Sequence, residues 1–196
     1  MFKINIFTFI FCLALSSNTL STSYAADYNI DASIITNAAL SVQVTEDLNF
    51  GDVFFNPDHK GQILLGTNGK VFISSDTKGL TLSGATNAAT IEVGGHDDQV
   101  IEISCDKEAA LATKDAEVIM LTDTEIMINQ PGNFGAGTSC NGLSSNPKVV
   151  DLSQNTAPTI FMGAALNIEE NSFNRSEFYD STNAGGKPVS LRIVYK

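Results

Sequence analysis

Residues 30–50 read IDASIITNAALSVQVTEDLNF. Ile30, Ala32, Ile34, Ala38, Leu40, Val42, Val44, Leu48 and Phe50 all occupy even positions, with mostly polar residues between them. A period of two gives an extended chain one apolar face, whereas a helix repeats at 3.6. The stretch therefore predicts half-buried strand, and with it an all-β protein.

The pattern continues outward from that run. Short strands are expected at 62–65, 70–74, 80–83, 90–93, 99–105, 117–121, 125–129, 149–152, 159–162, 164–168 and 189–195. Turn chemistry separates them, as at Asn68-Gly69, Gly94-Gly95 and Gly185-Gly186. Many short strands with close turns argue for a β-sandwich or barrel and against alternating βα units. Residues 107–114 and 169–179 are each expected to form a short helix or an irregular excursion. Residues 130–147, rich in Gly, Asn and Ser, are expected to be the longest loop, tied back by Cys140 and without core packing of its own.

The N-terminus has the form of an export signal: Lys3, an apolar core from Ile4 to Leu15, and Ser23-Tyr24-Ala25 as a small-x-small cleavage site. The mature protein is expected to be one domain over residues 26–196. Beyond the signal no stretch approaches the roughly 20 apolar residues of a membrane helix. Cys12 leaves with the signal, so Cys105 and Cys140 are expected to pair in an oxidising compartment, the alternative being two free buried thiols. His59 and His96 lack the spacing that a zinc site would need beside those cysteines.

The full chain carries 22 acidic and 11 basic residues, a net charge of −11, and loss of Lys3 makes it one unit more negative. Nucleic acid and anionic lipid are therefore unsuited as partners. No nucleophile elbow and no phosphate-binding loop is present. His96-Asp97-Asp98 reads as a solvated turn. Asp123 and Glu125 read as two more solvated turn carboxylates, with weak Ca²⁺ binding as the alternative. Asn174-Arg175-Ser176 is formally a glycosylation acceptor. The expectation is a non-enzymatic protein without catalytic residues, cofactor or metal.

Both ends of the mature chain are strand-like, with Val189, Leu191, Ile193 and Tyr195 sharing one face. Terminal strands at open sheet edges invite strand addition from another chain, the alternative being that both complete their own sheet and cap a monomer. Leu40-Ser41-Val42, Asp47-Leu48-Asn49-Phe50-Gly51-Asp52-Val53 and Gly66-Thr67-Asn68-Gly69 resemble the opening of the DUF4402 family of secreted bacterial domains. Phe161, Gly163, Leu166-Asn167-Ile168 and the stretch 189–195 are similar to its final strands. The resemblance implies an immunoglobulin-like, pilin- or adhesin-type sandwich. A looser likeness, to chaperone–usher pilins, rests on the penultimate aromatic Tyr195; Asn183 stands where those pilins tend to carry glycine.

By that analogy Ile30, Ala32 and Ile34 are candidate donor-strand residues, and Val189, Leu191, Ile193 and Tyr195 form the edge strand offered to a periplasmic chaperone. The expected function is a structural or adhesive subunit of a bacterial surface fibre, with like or other fibre subunits as partners. Its place would be the periplasm, cell surface or exterior. The alternative is a monomeric exported module that binds through its loops.

Overall fold

The computed structural model describes residues 40–55, 60–74, 80–154, 157–169 and 179–196. In chain order the strands are β1 (Ser41–Glu46), β2 (Asp52–Phe55), β3 (Gly61–Leu65), β4 (Val71–Ile73), β5 (Leu80–Ser83), β6 (Ala89–Gly94) and β7 (Val100–Cys105). They continue as β8 (Ala109–Ala112), β9 (Val118–Ile128), β10 (Thr138–Ser139), β11 (Lys148–Asp151), β12 (Thr159–Ile168) and β13 (Leu191–Tyr195). Among the described residues one 3-10 turn, Cys140–Gly142, follows β10. The protein is all-β, in several sheets, an arrangement consistent with a β-sandwich.

The largest sheet has eight strands and is organised on β12. One edge of β12 pairs with β9 from Ile160 to Asn167. Its other edge is shared: Thr159 to Met162 pair with β6, and Ala164 to Ile168 pair with β3. Gly163 sits at the change of partner. A Cβ there would lie 2.4 Å from the Leu65 carbonyl oxygen, so only glycine lets the β3 backbone approach. β1 flanks β6, β4 flanks β3, and β8 and β10 flank β9. A second sheet has the order β11-β7-β13, and β2 and β5 form a two-stranded ribbon.

The core lies between these sheets. Ile101, Ile103, Leu191, Ile193 and Val150 of the smaller sheet join one buried cluster with Ile63, Leu65, Ile91, Leu121, Ile160 and Met162 of the larger. The alternation predicted from sequence is clearest in β7, where Ile101, Ile103 and Cys105 are buried and the residues between them are not. Cys105 and Cys140 are disulfide-bonded, with Cα atoms 5.2 Å apart.

Four expectations are corrected. The strands expected at 159–162 and 164–168 are one strand, β12, which runs straight through Gly163. Residues 107–114 contain a strand, β8, whose four residues are all buried. Ala110 exchanges backbone hydrogen bonds with Lys187, and Ala112 with Asp180, so pairing on both sides overrides alanine's helix preference. The strands expected at 117–121 and 125–129 are one strand, β9, interrupted by a bulge at which Asp123 takes φ 50°. Finally, the 130–147 loop does pack: Cys140 and Leu143 belong to the core. The excursion expected at 169–179 falls mainly outside the described residues.

Candidate functional site

The end strands of the sheets decide where another chain could pair. β13 pairs with β7 in the register Leu191 to Cys105, Ile193 to Ile103 and Tyr195 to Ile101. The Asp106 amide donates to the Ser190 carbonyl, and the Lys196 amide to the Val100 carbonyl. Residues with even numbers on β13 therefore bond inward to β7, and by antiparallel alternation Leu191, Ile193 and Tyr195 turn their N–H and C=O groups to the outer edge. Among the described residues no strand pairs with that edge.

Those same residues point their side chains inward. Leu191 and Ile193 are buried, as is Val189 just before the strand, and Tyr195 is half-buried against the core. The outer edge thus offers regular hydrogen-bonding groups on a strand anchored by its side chains.

β1 is the corresponding end of the larger sheet, and its Val42 and Val44 pack partly against the core. The two edges meet at the β6–β7 connection. A Cβ on Gly95 would stand 2.8 Å from the Tyr195 phenol oxygen and 3.4 Å from Leu40 Cδ1. The His96 amide donates to that phenol oxygen at 3.2 Å. His96, Asp97 and Asp98 are themselves exposed around an open surface depression, as expected of a solvated turn.

The family-like motifs are structural. Leu48 and Phe50 enter the core, Asn49 exchanges backbone bonds with Asn87, and the Asn49 side chain accepts from the Gly51 amide at 2.8 Å. That contact holds Gly51 at φ 73°, where a Cβ would be 2.5 Å from the Ser83 carbonyl oxygen.

Gly66-Thr67-Asn68-Gly69 fastens a strap, residues 131–137, over the larger sheet. Thr67, fully buried, donates through its hydroxyl to the Gly132 carbonyl at 3.1 Å and accepts from the Gly132 amide at 2.8 Å. The Asn68 side chain donates to Asn133 at 2.8 Å.

The other fastening is Glu125, and here the solvated-turn expectation fails. Glu125 is only 4% exposed. Its Oε2 accepts from the amides of Gly135 at 2.9 Å and Gly137 at 3.1 Å, while its buried Oε1 has no hydrogen-bond partner. Burial pushes the Glu125 carboxyl up, and the Gly137 and Gly135 hydrogen bonds oppose that shift. Asp123 instead accepts from the Thr122 hydroxyl at 3.0 Å on the exposed bulge. Among the described residues no three His, Cys, Asp or Glu side chains converge as metal ligands.

Sequence reading missed the strap because its latch uses backbone amides, which carry no residue-type signal. The one available hint is a lone acid between Thr124 and Ile126, ahead of three closely spaced glycines. Ile30, Ala32 and Ile34 lie outside the described residues, as do residues 1–25 and His59.

No curated protein and no solved structure matches this chain. A family profile described as Domain of unknown function (DUF4402) matches residues 40–176, a span that takes in the motifs at 47–53 and 66–69, the strap and the whole of β12 but ends before the stretch 189–195. The chain belongs to the DUF4402 family.

Proposed function

We propose that the protein is an exported, non-enzymatic subunit of a bacterial surface fibre, structural or adhesive, built on an immunoglobulin-like, pilin- or adhesin-type sandwich and assembled by β-strand addition. One observation carries the reading. The outer edge of β13 presents the backbone groups of Leu191, Ile193 and Tyr195, and no described strand satisfies them. An added strand gains main-chain hydrogen bonds along such an edge, and its alternate apolar side chains set the register.

The occupant in this reading is the segment with Ile30, Ala32 and Ile34 of a like subunit, after cleavage of residues 1–25. Before assembly a periplasmic chaperone would cover the same edge. A long open edge left uncovered in an exported protein invites aggregation.

The test is an SDS gel of surface material from the native cell, with and without boiling. A ladder that collapses on boiling to one band of mature size supports polymerisation. A single band in both lanes overturns it in favour of a monomeric module that binds through its loops. Ile34→Asp should abolish the ladder and leave the domain folded.

A further inference from the structure

Glu125 is a buried carboxylate in uncharged surroundings. On β12 it faces Gly163, and on β10 it faces Ser139. The strap above it and the whole stretch 130–147 contain no charged residue. The turn that approaches Gly163 from β3 contributes backbone of Gly66 and Thr67. On its own strand the nearest acid is Asp123, out on the bulge. Asp106 and Lys107 reach it only through their carbonyls, which accept from Thr124, and their side chains are engaged with Lys187 and Glu108.

We propose that Glu125 and the strap form an acid-tightened clasp, closed while the carboxyl carries a proton and progressively released as it ionises.

The geometry gives each protonation state a different fit. A proton on Oε1 removes the charge and leaves Oε2 free to accept from Gly135 and Gly137, at the smaller cost of a neutral buried hydroxyl without an acceptor. Ionised, the group keeps the two amides but holds a charge with one buried oxygen unpaired by any protein group, which burial penalises. Lifting residues 135–137 would admit water to Oε1. The strap stays tethered at Thr67 and, beyond β10, by the Cys140 disulfide, so release is local. Local opening of this kind does not require the fold to unfold. The upward displacement of the carboxyl by burial agrees with this direction. The inference does not depend on fibre assembly.

Amide hydrogen exchange and amide proton shifts of Gly135 and Gly137, followed by NMR on the intact chain from acid to neutral pH, test it. After correction for intrinsic exchange, protection of both amides should fall as pH rises, with a shared midpoint above the ordinary glutamate value of about 4.3. Each unit of displacement corresponds to a tenfold fall in protection. The Gly69 amide, bonded to the Gly66 carbonyl, should show no such change. In Glu125→Gln the pH dependence should vanish. A midpoint at or below the ordinary value, or protection that rises with pH, overturns the clasp from wild-type data alone, whether or not the variant folds.

Discussion

Cys105 and Cys140 form a disulfide between the two main sheets: Cys105 ends β7 of the three-stranded sheet, and Cys140 follows β10, which pairs with β9 of the eight-stranded one. Both residues are buried, at 4% and 1% exposure, so the bridge is a cross-link through the core. It also holds the far end of the strap.

Removing that link should loosen the sheets relative to each other. The closed loop spans 35 residues of sequence separation. In the chain-entropy account a loop of this size stabilises the fold by about 3–4 kcal/mol. Urea unfolding of the Cys105→Ala, Cys140→Ala double variant should show that loss, and reductant should leave the variant's midpoint unchanged while lowering the wild type's. Equal midpoints for the two proteins under oxidising conditions would show that the bridge is dispensable.

Gly163→Ala tests the pivot of β12. The added methyl would meet the Leu65 carbonyl at 2.4 Å and Gly66 and Thr67 backbone atoms at 3.0 Å, and backbone cannot swing aside as a side chain can. Overpacking of this type costs about 1–3 kcal/mol. A thermal melt should register it, with the strap end of the sheet most affected. An unchanged melting temperature would mean that β3 moves freely, against the shared-edge pairing described above.

Glu125 also predicts how global stability follows pH. Its carboxyl is raised by burial, so the folded state holds the proton more tightly than the unfolded chain. Its favourable contribution is complete below the ordinary carboxylate range and is lost as pH rises through the raised folded value. Glu125→Gln should therefore gain stability relative to wild type as the medium moves from acid to neutral. Paired urea titrations across that range check it, and a gap between the two proteins that does not widen would contradict the sign.

The parts of this fold that sequence could reveal are those with one face dry and one wet. Ile101, Ile103 and Cys105 alternate with partly exposed residues, and their strand was legible. Ala109–Ala112 were not, because β8 is buried at every residue and so has no period to read. The bulge at Asp123 imitates a turn, which divided β9 into two expected strands. The strand at β13 was legible in its alternating apolar face, but that β7 is its one partner among the described residues is a matter of topology. Glu125 was misread because its environment is built by glycines ten and twelve residues further on, whose amides contribute and whose side chains cannot.

The β13 edge itself separates donation from self-insertion. In the register observed, Arg192 and Val194 bond to β7, while the amides of Ile193 and Tyr195 face outward. If another subunit supplies the missing strand, hydrogen exchange on isolated monomer should show the Arg192 and Val194 amides protected and those of Ile193 and Tyr195 exchanging freely. Assembly should then protect all four. If the chain's own N-terminal segment fills the edge, the outward amides should already be protected in the monomer, and Ile34→Asp should expose them. Side-chain burial cannot produce that alternation, since Ile193 is buried and Arg192 exposed while the expected protection runs the other way. Free exchange at Ile193 and Tyr195 persisting in purified surface material would remove the edge as the site of addition.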